Sequence, residues 1–314
     1  CTILLVTTAL SGTYEEHYKW TELFGEFGLL LDGLATPFAI MIYVLCTILA
    51  LYSKPYMIHL FKENFEKITH LNGAKETTRG SQTTAVVESS SLQTHVNNQS
   101  GLYYALYLVF SMGMLGTVLA TNLIEFYIFF EVMLIPSFFL IALYGAGPRR
   151  RIALMFFFWT HVGAVVLLLG FLTIGLSVGS FDFADINESE IPPDIVMISA
   201  IAIAIGLGVK LAVFMFHVWL PYVHGSAPTP ISALLSPAMI GIGAYGIFRL
   251  IIEFLPMTFA DLSIWFHIWG LVTMIYGGAM ALMQDDLKRM LAYSSISQMG
   301  YILFGIGSIS VLGL

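Results

Sequence analysis

The chain has 314 residues, of which 58% are hydrophobic and 11% charged, with a mean hydropathy of +0.84. Soluble domains carry about a quarter charged residues, so this composition excludes a water-soluble globular protein and predicts an integral membrane protein. The formal net charge of −7 gives no reason to expect a nucleic-acid partner, and two cysteines exclude a disulfide framework or a cysteine-rich metal cluster.

The apolar runs predict a series of membrane-spanning helices. The chain begins with Cys1 and ends in an apolar stretch, so we interpret it as a fragment of a longer protein. Because the hydrocarbon core needs about 20 apolar residues per helix, residues 1–10 are predicted as a partial transmembrane helix. Eight full spans are predicted after it: 29–52, 102–121, 122–145, 152–177, 194–220, 231–255, 263–284 and 290–313. The alternating segments of a membrane β-barrel are not found, and the predicted fold class is an all-α polytopic membrane protein.

The connectors predict the orientation of the chain. Residues 53–101 are predicted as a flexible loop, because the run 68–100 is rich in Ser, Thr, Asn and Gln and poor in large apolar residues. Ten of the thirteen basic residues fall on the same side as this loop: Lys54, Lys62, Lys67, Lys75, Arg79, Arg149, Arg150, Arg151, Lys288 and Arg289. The positive-inside rule assigns that side to the cytoplasm or the mitochondrial matrix, here called the inner face. The outer face receives Lys19 and acidic loops such as 181–194.

Two charged residues lie deep inside predicted spans, Glu131 in 122–145 and Lys210 in 194–220. A charge at the bilayer centre costs about 2.5–3.5 kcal/mol on insertion scales, and such residues mark functional sites by default. Two interpretations remain open. Glu131 and Lys210 form either a static ion pair between two helices or a proton relay in which they titrate as a unit.

Three other charged residues lie near the ends of spans. Arg249 and Glu253 are four residues apart, so they share a helix face and are predicted to pair, with their heads reaching the membrane interface. Glu125, three residues into its span, is also predicted to reach the interface.

The stretch 203–230 predicts an interrupted helix. Gly206 and Gly208 precede Lys210, and Pro221 ends the run; such residues occur where non-helical backbone lines a hydrated cavity. His217 lies two turns beyond Lys210, close to the same face.

Three histidines are candidates for a proton relay, because histidine changes its charge near neutral pH. His217 and His224 lie in the interrupted stretch, whereas His161 lies in the middle of the span 152–177. For each of them, a structural hydrogen bond to a neighbouring helix is the alternative.

Four blocks of this sequence resemble one family. "KLAVFMFHVWLPYVHGSAPTPISALL" (210–235) resembles the signature of the antiporter-like subunits of respiratory complex I, whose relatives include multisubunit cation/proton antiporters and membrane-bound hydrogenases. "NLIEFYIFFEVMLIPSFFLIALYG" (122–145) resembles the glutamate-bearing helix of that family, and "QDDLKRMLAYSSISQMGYILFGIG" (284–307) a later helix. "LLLDGLATPF" (29–38) resembles its early L-D-G motif. The form of the second block is similar to that of the subunit M, or chain 4, branch.

The resemblance implies a bundle with inverted repeats, the second of them incomplete here. It implies that Glu131 modulates the protonation of Lys210, the lysine of the broken helix, and that His217 and His224 are the two histidines of the signature. Asp286, Lys288 and Arg289 match a motif on the cytoplasmic side; interfacial anchoring is the alternative. The sequence departs from the family at two positions: Gly241 stands where a second lysine is usual, and Tyr222 where aspartate is common.

The function implied is proton translocation across an energy-transducing membrane, as a subunit of an oxidoreductase that transfers electrons from NADH or a related donor to quinone. Expected partners are the lipid bilayer and other membrane subunits, in a prokaryotic plasma membrane or the mitochondrial inner membrane. No cofactor or metal is expected in this chain; NADH, FMN, iron–sulfur clusters and quinone are expected in partner subunits. Three alternatives remain: a Na⁺/H⁺ antiporter subunit, a membrane subunit of an energy-converting hydrogenase, and a non-transporting membrane scaffold.

Overall fold

A computed structural model describes residues 12–21, 25–73, 82–186, 188 and 191–308. The predicted partial helix at 1–10 lies outside the described residues. The described part begins with an antiparallel hairpin of β1 (Tyr14–Thr21) and β2 (Gly25–Leu31), in which Tyr14 pairs with Leu31. This hairpin was not predicted, because hydropathy indicates membrane spans and not short strands outside them.

Helices make up the rest of the described structure. In chain order they are α1 (Ala35–Gly73), α2 (Gln82–Leu119), α3 (Leu123–Tyr144), α4 (Arg149–Val178), α5 (Pro193–Leu211), α6 (Trp219–Ser226), α7 (Thr229–Glu253), α8 (Pro256–Leu282) and α9 (Leu287–Gly307). Within α7, Leu235–Met239 and Phe248–Glu253 have π-helical hydrogen bonding. The predicted class, an all-α polytopic membrane bundle, is confirmed apart from the small hairpin.

Seven of these described helices are long and apolar enough to cross a membrane, rather than the eight predicted. The eighth prediction, at 290–313, corresponds to α9, whose N-terminal half carries basic, tyrosine and serine residues. Its glycines pack closely against α8: Gly300 faces Met274, and Gly270 of α8 faces Phe304. These contacts show that α8 and α9 run antiparallel along their length.

The first full span was predicted to begin at residue 29, and this boundary is wrong. Residues 29–31 belong to β2, and the helix begins at Ala35. The Asp32 carboxylate accepts hydrogen bonds from the backbone N–H groups of Leu34 (3.1 Å) and Ala35 (2.7 Å). Aspartate at the N-cap satisfies donors that the first helical turn leaves free, so it determines where α1 starts.

The prediction of a flexible loop at 53–101 is wrong for most of its length. Residues 53–73 continue α1, and 82–101 form the first part of α2. At about 1.5 Å per residue the 39-residue α1 measures about 58 Å, well beyond the roughly 30 Å of hydrocarbon. Met57, Phe61 and Val96 are buried in this region. These few apolar side chains let the two helices pack, although the composition of the segment is typical of disorder.

The predicted interrupted helix is confirmed, and the predicted span 194–220 is divided by the interruption. Helix α5 ends at Leu211, and the backbone then passes through positive φ at Ala212 (+54°) and Met215 (+76°). Helix α8 binds two of the freed backbone groups. The hydroxyl of Thr273 accepts the Phe214 N–H at 3.0 Å, and the Trp269 indole donates to the Phe214 carbonyl at 3.0 Å. Non-helical backbone at membrane depth is therefore satisfied by protein, as the bilayer requires.

Glycines bring the central helices into close contact. At Gly206 of α5, an added methyl group would lie 2.7 Å from the Gly163 carbonyl oxygen of α4 and 2.7 Å from the Leu167 Cβ. Membrane helices associate by such close backbone packing rather than by the hydrophobic effect. The α4–α5 contact therefore depends on the absence of a side chain at this position.

We expect Gly206→Ala to lower the thermal stability of the protein, because its methyl group meets backbone that cannot rotate away. Overpacking of this kind costs about 1–3 kcal/mol. The measurement is the thermal unfolding midpoint of the detergent-solubilised protein. The matched control is Gly101→Ala in α2, where the added methyl group has no heavy atom within 4 Å. Equal midpoints for the two variants would contradict the packing argument.

The charged residues near the span ends are more buried than predicted. Arg249 and Glu253 pair, as predicted, at 2.7–2.9 Å, but Arg249 is only 2% exposed and does not reach the interface. Its guanidinium also donates to both carboxylate oxygens of Asp32, at 2.8 and 2.7 Å. Glu125 is 1% exposed; its carboxylate accepts the backbone N–H of Thr121 at 3.2 Å and that of Gly28 at 3.3 Å. These groups bind the hairpin and the start of α1 to the outer ends of α3 and α7.

Candidate functional site

Three helices place ionisable side chains at the same depth in the bundle: Glu131 on α3, His161 on α4 and Lys210 at the end of α5. The depth follows from the close approach of α4 and α5. A methyl group at Gly163, two residues after His161, would lie 2.6 Å from the Cβ of Val209, the residue before Lys210. Glu131 reaches the same level because it contacts His161 directly.

Glu131 is bound to His161 in this structure. Its Oε2 lies 3.2 Å from the His161 Nδ1, and the side chains are 18% and 42% exposed. The imidazole stacks on the ring of Phe157, with centroids 5.6 Å apart and planes within 9°. The other carboxylate oxygen, Oε1, is buried and has no hydrogen-bond partner in the described structure.

Lys210 has no hydrogen-bonding partner among the described residues. It is 2% exposed, and its Nζ lies over the ring of Phe130, 4.6 Å from the centroid. Phe130 precedes Glu131 on α3, so the residue that Lys210 contacts is the immediate neighbour of Glu131. The described structure contains no ion pair of 4.0 Å or less between them. It therefore shows the two groups separated, with an unused acceptor on one and an unused donor on the other.

The two histidines of the interrupted segment have separate partners on different helices. The His217 Nε2 lies 3.1 Å from the Tyr276 hydroxyl of α8, and its ring stacks on Phe214. The His224 Nδ1 lies 2.6 Å from the Ser232 hydroxyl of α7, and its Nε2 is buried without a partner in the described structure. Each histidine therefore lies beside a hydroxyl group. A hydroxyl both donates and accepts hydrogen bonds, so it can pass a proton in either direction.

A cavity of about 440 Å³ lies beside His224 toward the inner face. Most of its surface is apolar, but Lys288, Gln298 and five Ser or Thr residues also line it. A water molecule in a cavity needs two to four polar neighbours, which these side chains can supply. The cavity therefore offers a hydrated approach from the inner face to His224.

The predicted inner-face motif closes the turn between α6 and α7. The Asp286 carboxylate caps α9 by accepting the Arg289 backbone N–H at 2.8 Å. Lys288 donates to the Ala227 carbonyl at 3.0 Å, and the Arg289 guanidinium lies over the Tyr222 ring at 5.8 Å. A cation–π contact with Tyr222 therefore holds Arg289 at this position.

The space beside Gly241, where the family resemblance implies a second lysine, is unfilled by the described residues. A methyl group at Gly241 would have no heavy atom within 4 Å.

Phe130 and Tyr276 contact the candidate residues but were not predicted from the sequence. The adjacency of Phe130 to Glu131 could have indicated its role, whereas Tyr276 lies 59 residues from His217 in sequence and no local signal connects them. Within the described residues, no group of three His, Cys, Asp or Glu side chains is placed to hold a metal ion.

Comparison with known proteins identifies the family of this chain. The transmembrane family described as NADH:quinone oxidoreductase/Mrp antiporter matches residues 120–314, which include every candidate residue discussed above. The chain belongs to this family. The predicted relationship to antiporter-like complex I subunits is thereby confirmed.

Relatives of this chain include proteins named chain 4 of NAD(P)H-quinone oxidoreductase. The chain is 35% identical over 225 residues to "NAD(P)H-quinone oxidoreductase chain 4 3" of Picosynechococcus, an alignment that covers 70% of this chain and 40% of the relative. The chain thus spans about two fifths of that relative's length.

Two solved structures share the fold. In respiratory complex I from Thermus thermophilus, the match has a TM-score of 0.75 and 22% identity, covering 98% of this chain and 58% of the other. In the Mrp complex from Dietzia, the TM-score is 0.75 and the identity 26%, covering 97% of this chain and 30% of the other. The multi-pass membrane assignment is confirmed by the family and by the apolar helices.

Proposed function

We propose that this chain translocates protons across an energy-transducing membrane, as an antiporter-like subunit of an assembly that oxidises NADH or a related donor and reduces quinone. The observation that carries the proposal is the pair of unused groups at the interrupted helix. Lys210 Nζ and Glu131 Oε1 are buried, complementary and without partners in the described structure. Unpaired buried groups cost free energy, so an arrangement that brings these two together would recover part of that cost.

The mechanism follows from the energetics of a buried amine beside a mobile carboxylate. With Glu131 close, the lysine retains its proton, because an opposite charge favours the ammonium form. With Glu131 drawn away, burial without a counter-charge favours loss of that proton. Movement of Glu131 between two positions would therefore load Lys210 and discharge it. Moving one charge against 100 mV takes about 2.3 kcal/mol, within the range of such an interaction.

His217 and His224 extend the proposed path toward the inner face. The His224 cavity supplies water, and the hydroxyls of Ser232 and Tyr276 supply hydrogen-bonding neighbours. Lys288 holds the α6–α7 turn beside this cavity, and Asp286 caps the helix that carries Lys288. In this role they are positioning residues, since neither lies in the membrane interior.

The redox chemistry belongs to partner subunits in this proposal. NADH, FMN, iron–sulfur clusters and quinone would bind there, and the membrane subunits would transmit the energy of quinone reduction to the Glu131–Lys210 pair. A Na⁺/H⁺ antiporter function is the second candidate, favoured by the likeness to the Mrp complex of Dietzia. A hydrogenase subunit and a non-transporting scaffold complete the set of alternatives.

The test is Glu131→Gln in the full-length protein within its assembled complex. We expect proton translocation per NADH oxidised to fall about tenfold, in line with coupling energies of 1–3 kcal/mol, with normal assembly. Acidification of inverted membrane vesicles reports the pumping, and blue-native gels report the assembly. Glu131→Asp is the matched control, because it keeps the charge and should retain most of the activity.

The same vesicles separate the alternatives. Full pumping by the assembled Glu131→Gln complex would contradict the proposal and favour the scaffold. Sodium-dependent proton movement without any electron donor would instead identify an antiporter, and copurification of a nickel–iron protein would identify a hydrogenase subunit.

A further inference from the structure

In this structure the Glu131 carboxylate contacts His161 of the neighbouring helix. The nearest partner of the carboxylate in this structure is an imidazole on the neighbouring helix, at 3.2 Å, and not the lysine. A carboxylate accepts hydrogen bonds but cannot donate them, so the His161 Nδ1 carries the hydrogen while Glu131 is ionised. Stacking on Phe157 determines the orientation of the ring.

The membrane environment makes such a second partner necessary. Glu131 and His161 lie in the middle of their helices on a partly exposed face of the chain, with the side chain of His161 42% exposed. An ionised carboxylate without a partner at this depth is strongly disfavoured. Glu131 can be withdrawn from Lys210 only if another donor receives it.

The ring of Phe130 contacts the Lys210 amine while Glu131 contacts His161. With the carboxylate withdrawn, the Lys210 Nζ rests on the face of the Phe130 ring, 4.6 Å from its centroid. The ring face attracts a desolvated ammonium group, so it can hold the lysine in place until the proton leaves. Successive residues on a helix point about 100° apart, so Phe130 and Glu131 face different neighbours from the same turn.

We propose that His161 and Phe130 are positioning residues of the separated state of the switch, His161 by binding the Glu131 carboxylate and Phe130 by holding the Lys210 side chain in place until its proton leaves. Glu131 thus alternates between two partners within this one chain. The inference rests on the proposed function, because it assigns the second position of the same switch.

The experiment measures protons translocated per NADH oxidised, in inverted vesicles that contain the assembled complex. His161→Leu removes the donor, and we expect the ratio to fall about tenfold, as for loss of a hydrogen bond to a charged group. His161→Gln retains a neutral N–H donor and should stay within about twofold of the unmodified complex. His267→Leu is the matched control; this histidine of α8 contacts the Ser263 carbonyl of its own helix, and its loss should leave the ratio unchanged.

Two further variants test the linkage to the switch. Glu131→Gln combined with His161→Leu should translocate no worse than Glu131→Gln alone, because the histidine acts only through the carboxylate. Phe130→Leu should lower the ratio, and Phe130→Tyr, which keeps the ring, should restore it. A ratio per electron is insensitive to the amount of complex assembled, so a purely structural role would not change it.

The outcomes that overturn the inference are distinct from those that overturn the proposed function. An unmodified ratio in His161→Leu overturns the inference alone, as does equal loss in His161→Leu and His161→Gln. Multiplicative losses in the double variant also overturn it. An unmodified ratio in Glu131→Gln overturns the proposed function itself, whatever the histidine variants show.

Discussion

A complex carrying Lys210→Met should assemble normally and translocate protons at least about 100-fold more slowly than the unmodified complex, since a positioned proton-transfer group contributes about 10²–10⁴-fold. Methionine has a similar length and no charge, and it fits the apolar surroundings of a side chain that is 2% exposed. The protein thereby loses the proton carrier and also a buried group without a hydrogen-bond partner. Stability should therefore be unchanged or improved, while translocation is lost.

Lys210→Met is therefore expected to lose proton translocation without losing stability. Vesicle acidification measures translocation, and the thermal unfolding midpoint of the purified complex measures stability. Lys210→Arg is the matched control, because it keeps a charge that cannot be released in this range of pH. It should assemble and yet fail to pump. If Lys210→Met pumped normally, or if it lost stability together with pumping, Lys210 would be a structural residue.

The second large effect is expected at the buried cluster around Arg249. Arg249→Met should lower the free energy of unfolding by about 3–5 kcal/mol, the usual range when one member of a buried ion pair is removed. The Asp32 and Glu253 carboxylates would then be left without their cation, and the Tyr245 hydroxyl without a donor at 3.2 Å. The thermal unfolding midpoint and the yield of assembled complex are the measurements.

Two companion variants distinguish charge imbalance from lost packing. Glu253→Gln should have a much smaller effect, about 1 kcal/mol or less, because this carboxylate is 46% exposed and solvated. Asp32→Asn combined with Arg249→Met should recover part of the loss, because one uncompensated charge is removed with the cation. Equal loss in the single and the double variant would assign the effect to packing.

The sequence was sufficient for the interrupted helix but not for its contacts. Gly206, Gly208 and Pro221 predict a break near Lys210, and the break lies there, because local backbone preferences act over a few residues. The prediction of disorder at 53–101 was wrong for the opposite reason. Composition averages over a segment, whereas Met57, Phe61 and Val96 stabilise two helices through contacts between residues far apart in sequence.

Some contacts of the charged residues were predictable from the sequence, and others were not. The pairing of Arg249 with Glu253 was predictable, because four residues along a helix determine a shared face. The bond from Arg249 to Asp32 joins residues 217 positions apart, and no local pattern indicates it. Glu125 was predicted to reach the interface and is instead buried by the hairpin, since the Gly28 N–H approaches it from a separate part of the chain.

By itself the sequence determined the class of protein, the approximate positions of its helices and two of the ionisable side chains inside them, Glu131 and Lys210. It could do so because hydropathy and helix-breaking residues act locally and the bilayer excludes unpaired polar groups. Only the tertiary structure decided which groups meet: Glu131 with His161, Lys210 with Phe130, and His217 with Tyr276. Those contacts depend on the packing of three or more helices, down to the absence of a methyl group at Gly163 and Gly206, and sequence spacing carries no information about them.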